Sequence, residues 1–93
     1  MRLKKSEIRV IKSAVKEFDN KAEIILFGSR ADDTAKGGDI DLLIISDKIK
    51  NREKRKIRLL IFDQLEEQKI DIISASIIKG AFIENAYNTG VRL

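Results

Sequence analysis

The segment "ILFGSRADDTAKGGDIDLLII", residues 25–45, decides the fold of this chain. Its last part is an apolar run, Leu42 to Ile45, that is typical of a buried strand. Two carboxylates with one residue between them, Asp39 and Asp41, stand where this run begins. The first part is another apolar, β-favouring run, which stops at Gly28. The segment therefore predicts two strands with two like charges at the start of the second.

Helices and strands alternate on both sides of this segment. The pattern first predicts a helix 6–18 capped by Ser6, a strand Glu23–Phe27 and a short helix 29–35. It then predicts a strand Ile40–Ile45, a helix 51–68 and a strand 70–74. A last helix is predicted to begin at a Ser76 cap and to end at 88–90, and residues 91–93 are predicted to be extended. This alternation predicts an α/β (α+β) fold with a small mixed sheet of about three to four strands flanked by helices.

Length and composition predict one domain over residues 1–93. The chain has 93 residues, of which 43% are apolar and 37% charged, and this balance is typical of a globular protein. It contains no proline and no linker-like segment, so no domain boundary is predicted. A domain of this size holds a large substrate through a few loops, a second copy or another protein. A protein partner or a homo-oligomer is therefore expected.

The missing residue types exclude several classes of site. The chain has no Cys and no His, which excludes disulfides, thiolate or imidazole metal sites and His-dependent catalysis. Carboxylates are the strong metal ligands that remain. The N-terminus lacks an apolar signal core, and no apolar run approaches the roughly 20 residues needed to span a bilayer. These features predict a cytoplasmic protein without a membrane partner.

The paired carboxylates are compatible with two interpretations. Alternate residues of a strand share a face, so Asp39 and Asp41 are predicted to lie side by side, where their like charges repel each other. A cation would relieve that repulsion, and ligands that offer only oxygen suit Mg²⁺ or Mn²⁺. In the alternative, Asp39 is a turn residue and Asp41 lies on a solvated face. For an Asp-x-Asp pair taken alone, this second interpretation is the better one.

Two further features favour a functional site. Gly28-Ser29 ends a strand and begins a helix, so it offers free N–H groups and a hydroxyl that suit a phosphate, although an ordinary turn would look the same. Asp71 stands at the start of the third strand as Asp41 does in the second. If those strands are parallel neighbours and the first is antiparallel, all these residues meet at one edge. This set suits two-metal phosphoryl or nucleotidyl transfer.

The chain contains Phe27-Gly28-Ser29, then a spacer, then Asp39-Ile40-Asp41-Leu42. This pattern resembles the DNA polymerase beta-like nucleotidyltransferase superfamily, specifically the minimal nucleotidyltransferases. The resemblance covers nearly the whole chain and implies the nucleotidyltransferase fold. It also implies roles for the candidate site residues. Gly28, Ser29 and Arg30 would bind the triphosphate, Asp39 and Asp41 would hold two Mg²⁺ ions, and Asp71 would bind the catalytic metal and help activate an acceptor hydroxyl. Arg30 as an exposed helix residue is an equal alternative.

The resemblance also implies a partner. Minimal nucleotidyltransferases are commonly encoded beside a HEPN-domain protein, and the pair is similar to a toxin–antitoxin module. The transferase, as antitoxin, would move AMP from ATP or another NTP to a tyrosine of the toxin, or would neutralise it by binding. The chain departs from the family pattern at Asp32-Asp33, where members often carry a Gly, and at Gly37-Gly38, where a small hydroxyl residue is frequent before the first Asp.

Two other functions stay open from the sequence. The first is a non-catalytic module of the same fold that masks its partner sterically. The second is a nucleic-acid-binding regulator, because basic residues are densest between positions 48 and 58. No aromatic residue interleaves with them, which argues against a surface that stacks single-stranded bases. A nucleic-acid partner is therefore not favoured.

Overall fold

The computed structural model describes residues 3–28, 39–65 and 69–93. Its elements in chain order are α1 (Lys5–Lys16), β1 (Glu23–Phe27), β2 (Ile40–Ile45), α2 (Asn51–Leu65), β3 (Ile70–Ala75), α3 (Ala81–Thr89) and β4 (Val91–Arg92). The first two predicted strands are confirmed at both ends, and the third continues one residue further, to Ala75. The predicted helix 29–35 and the last turn of the second helix lie outside the described residues.

The four strands form one mixed sheet in the order β3-β2-β1-β4. Strands β2 and β3 are parallel, whereas β1 is antiparallel to both β2 and β4. The predicted strand directions and the mixed sheet are confirmed. Because β1 is antiparallel to β2, and β2 is parallel to β3, the C-terminal end of β1 and the N-terminal ends of β2 and β3 lie at the same edge of the sheet. We call this end of the sheet, with Gly28, Asp39, Asp41 and Asp71, the carboxylate edge.

The two faces of the sheet are covered differently. Helices α1 and α2 pack on the face that carries Leu26, Leu42 and Ile44, and their own Ile11 and Ile57 are fully buried there. Alternation along the strands turns the other residues to the opposite face. On that second face α3 packs against β1 and β2. The second face carries the smaller of the two cores.

Two predicted helix caps are wrong. Helix α1 begins at Lys5 with Lys4 as N-cap, because the Glu7 carboxylate accepts a hydrogen bond of 2.8 Å from the Lys4 N–H. Helix α3 begins at Ala81 rather than after Ser76, with Gly80 as N-cap at φ +95°. Only glycine adopts that backbone conformation readily, so Gly80 sets the start of the helix. No helix within the described ranges is long and apolar enough to cross a membrane.

A buried hydrogen-bond network ties the end of α1 to the end of β2. Asp19 is only 7% exposed, and its carboxylate accepts a bond of 2.5 Å from the Ser46 hydroxyl. It also accepts a bond from the Lys21 N–H at 3.0 Å. These two hydrogen bonds, led by that from Ser46, lower the pKa of Asp19 below its ordinary value of 3.8. The ionised form of Asp19 therefore stabilises the fold.

Asp19→Asn is expected to reduce the free energy of unfolding by about 1.5 kcal/mol at neutral pH, because it removes a hydrogen-bonded buried charge. A lowered pKa gives stability that is present above the ordinary value of 3.8 and is lost as pH falls through the folded-state pKa. The difference from the wild type should therefore shrink in acid. Urea unfolding at neutral pH and at about pH 3 measures it. If the variant and the wild type differ equally in free energy of unfolding at both pH values, the ionised form of Asp19 has no special role. The control is Asp47→Asn, which removes an exposed carboxylate.

Candidate active site

Three side chains form a row across the second face of the sheet at the carboxylate edge. Asp41 on β2 lies opposite Phe27 on β1 in the antiparallel register and opposite Asp71 on β3 in the parallel register. Residues paired in register point to the same face, so the three side chains are neighbours. Asp41 is half-buried, whereas Asp71 is exposed. The structure thus brings two of the predicted carboxylates together beside an aromatic ring.

Asp41 is the electrostatic centre of this row. Burial raises the pKa of Asp41, and the negative charges of Asp71 and Asp39 raise it further. The positive charge of Lys69 opposes this rise in the pKa of Asp41. The ionised pair is therefore repulsive in the protein alone. A cation placed between these oxygens would relieve the repulsion.

Asp39 stands immediately before β2 and interacts with a cation of this chain. Its Oδ2 lies 3.7 Å from Nζ of Lys69, which stands immediately before β3. Within residues 3–28, 39–65 and 69–93, no three acidic side chains converge as a ready-made metal-binding group. The structure therefore pairs Asp41 with Asp71. Asp39 acts on Asp41 through its charge, while its own carboxylate lies nearest to Lys69.

Gly28 closes the row at the end of β1. Its φ of +76° lies in the left-handed region, which favours glycine. A Cβ built on this residue would lie against the Asp41 carboxylate, only 3.3 Å from its Cγ. The backbone of the predicted phosphate-binding turn and the central carboxylate can therefore approach each other only because residue 28 has no side chain. Ser29 and Arg30, also predicted to bind the triphosphate, lie outside the described residues.

Two features of the site were not predicted from the sequence. Lys69 faces Asp39 because the parallel register that pairs Ile40 with Ile70 also brings the preceding residues together. That register could have been extrapolated from the parallel strands. The Phe82 ring of α3 packs edge-on against Phe27, with centroids 5.8 Å apart and planes at 87°. Only the packing of α3 brings the two rings together, since Phe27 and Phe82 lie far apart in the sequence.

Comparison with known proteins gives the family. A family model described as a nucleotidyltransferase domain matches residues 8–93, which include the whole carboxylate edge. The chain belongs to the nucleotidyltransferase family. This match confirms the predicted nucleotidyltransferase fold and the resemblance to the superfamily. A search of curated proteins finds no match to the chain.

Membership of the nucleotidyltransferase family establishes the general reaction. The chain is a transferase that moves a nucleoside monophosphate from a nucleoside triphosphate. Nucleotidyltransferases commonly use divalent metal ions, and the donor set of this site fits them. Asp41 and Asp71 offer adjacent carboxylate oxygens whose repulsion a cation would relieve, and the chain has no His or Cys to favour a softer metal.

Proposed function

We propose that this nucleotidyltransferase is Mg²⁺-dependent and transfers AMP from ATP to a hydroxyl group of a partner protein. The observation that carries the proposal is the register of the sheet, which sets Asp41 beside Asp71 and next to Gly28. Two carboxylates beside a glycine turn suit a nucleotide held by its phosphates while its α-phosphorus faces the acceptor.

Each residue of the site has a proposed role. Gly28, with Ser29 and Arg30, binds the β- and γ-phosphates through backbone N–H groups, a hydroxyl and a guanidinium group. Asp39 and Asp41 would hold two Mg²⁺ ions, and Asp71 would bind the catalytic one. Bound divalent ions supply Lewis acidity that stabilises charge on the entering and leaving oxygens.

The exposed Asp71 is proposed to prepare the acceptor. Its carboxylate accepts the proton of the acceptor hydroxyl, whose oxygen then forms a bond to the α-phosphorus. The bond from that phosphorus to the bridging oxygen breaks on the opposite side, and pyrophosphate leaves from the side of Gly28. Asp41 holds the centre of the row in place, because it is the more deeply buried of the two paired carboxylates.

The proposed acceptor is a tyrosine of a HEPN-domain toxin, for which this chain would act as the antitoxin. The support is the resemblance to minimal nucleotidyltransferases and the open position of Asp71 at the edge of the sheet, where a protein side chain can reach it. A reaction that consumes ATP also supports the predicted cytoplasmic location.

The proposal predicts that label from α-phosphate-labelled ATP, with Mg²⁺, enters a protein of a host lysate. The wild type should label it, and the double variant Asp39→Asn/Asp41→Asn should not. Asp47→Asn/Asp63→Asn is the matched control, since it removes two exposed carboxylates away from the carboxylate edge. Mass spectrometry of the labelled band identifies the acceptor residue. If no α-phosphate-labelled NTP transfers its label to a protein while the chain still captures a partner, the chain is a binding module rather than an active transferase.

A further inference from the structure

A groove of about 390 Å³ lies between α2 and the start of β3, next to the carboxylate edge. We call it the α2 groove, and it is lined by Arg55, Arg58, Leu59, Phe62, Lys69 and Ile70. The first four recur at three- and four-residue steps on α2, so they form one stripe of the helix. The last two directly precede Asp71 in the chain. The groove therefore ends at the strand that carries Asp71.

The floor of the α2 groove is apolar and exposed. Leu59 is 65% and Phe62 54% exposed, although α2 already buries Ile57 and Ile61 completely in the main core. These two large side chains thus lie on the helix face that points away from that core. Exposed apolar side chains clustered in a groove are typical of a binding surface, and aromatic residues and Arg are enriched in such surfaces.

The rim of the α2 groove is cationic. Arg55, Arg58 and Lys69 carry its charges, and none of its described lining residues is acidic. Charge complementarity therefore selects an occupant with negative charges beside apolar side chains. A nucleic acid would match the cations but would gain little from the exposed aliphatic side chain of Leu59. An acidic, amphipathic stretch of polypeptide matches both the floor and the rim.

The position of the α2 groove agrees with the geometry of the reaction. In an in-line displacement the acceptor oxygen enters opposite the leaving pyrophosphate. The proposed function puts the leaving pyrophosphate on the side of Gly28, at the end of β1, and β2 lies between β1 and β3. The acceptor therefore enters from the side of β3, where the groove ends. Lys69 lines the groove and its Nζ also lies 3.7 Å from the Asp39 carboxylate, so this residue links the groove to the candidate active site.

We propose that the α2 groove docks an acidic, amphipathic segment of the protein acceptor and so delivers its hydroxyl to Asp71. Phe62 and Leu59 bind the apolar side chains of that segment, and Arg55 and Arg58 bind its carboxylates. The delivery of the hydroxyl rests on the proposed function, whereas the docking itself does not.

Docking can be measured without catalysis on the 15N-labelled full chain by NMR. The probes are a short amphipathic peptide of Glu and Leu, the same peptide with Lys in place of Glu, and single-stranded oligouridylate. The Glu peptide should shift the amide signals of the α2 groove in a saturable manner. Phe62→Ser and Arg58→Glu should each weaken its binding about tenfold. The controls Ile77→Ser, at a residue 62% exposed outside the groove, and Arg52→Glu, on the same helix, should bind as the wild type does.

Several results would overturn the proposal. The Lys peptide or oligouridylate could bind more tightly than the Glu peptide, the shifted signals could map outside the groove, or all variants could bind the Glu peptide equally well. Signals that shift with protein concentration alone would show instead that the groove is a contact between two copies of the chain. Once the acceptor is identified, Phe62→Ser should raise the KM for that acceptor and leave the KM for ATP unchanged. Absence of transfer by a wild type that docks the Glu peptide would reject the proposed function but not the docking.

Discussion

Asp41→Asn is expected to reduce nucleotidyl transfer about a thousandfold or more while it makes the fold more stable. The loss of activity follows because the amide removes the charge at the centre of the Phe27–Asp41–Asp71 row. In the proposed Mg²⁺-dependent reaction, metal-assisted charge stabilisation would contribute several kcal/mol to the transition state, and each 1.4 kcal/mol is about tenfold in rate. Binding of the nucleoside triphosphate should weaken less than turnover does.

The gain in stability follows from the raised pKa of Asp41. Burial and the charges of Asp71 and Asp39 make the ionised form unfavourable in the folded protein. A folded-state pKa above the ordinary value of 3.8 means that stability falls as pH rises through that window. At neutral pH the asparagine variant avoids this cost. An increase of about 0.5–1 kcal/mol corresponds to a Tm several degrees higher for a domain of this size.

Thermal unfolding of both proteins between neutral pH and about pH 3, without metal, measures this effect. The difference in Tm should be largest at neutral pH and should close in acid, where the wild-type carboxyl is protonated. Asp63→Asn, at an exposed site on α2, controls for the loss of one negative charge from the whole protein. A variant that keeps wild-type activity, or that is less stable than the wild type at neutral pH, would contradict this account of the row.

Local sequence patterns are enough to predict the strands of this sheet. Strand β1 ends at Gly28 and strand β2 begins after a charged residue, so apolar runs between such residues predict both strands to the residue. The approach of Asp41 to Asp71 follows from one topological rule, because strands joined by a helix are usually parallel neighbours. The candidate site is predictable to the extent that it depends on strand order and register.

Local sequence patterns do not predict features that depend on tertiary packing or on which of several candidate N-cap residues begins a helix. Ser6 and Ser76 are good caps by residue type, yet a Glu7 carboxylate and the backbone of Gly80 determine where the helices begin. The periodicity of α2 identifies Ile57 and Ile61 as core, but it does not show that Phe62 stays exposed in a groove. That exposure depends on where the helix lies relative to the edge strand β3.

Gly28→Ala is expected to reduce activity about a hundredfold and to lower the free energy of unfolding by about 1–2 kcal/mol. The loss of stability arises because a side chain at a φ of +76° is strained. The loss of activity has a second cause, since the added methyl group would displace the Asp41 carboxylate that it meets. A misplacement of about 1 Å at a reacting centre costs on the order of a hundredfold in rate.

Gly80→Ala separates these two causes. Gly80 also has a positive φ, of +95°, but no described atom lies within 4 Å of a Cβ built there. Both variants should therefore lose similar stability in urea unfolding, whereas only Gly28→Ala should lose activity at a temperature where both are folded. Equal losses of activity would mean that the strain alone impairs the enzyme. Full activity of Gly28→Ala would mean that the close approach of Gly28 to Asp41 has no part in catalysis, and the roles proposed for this turn and for the row would have to be separated.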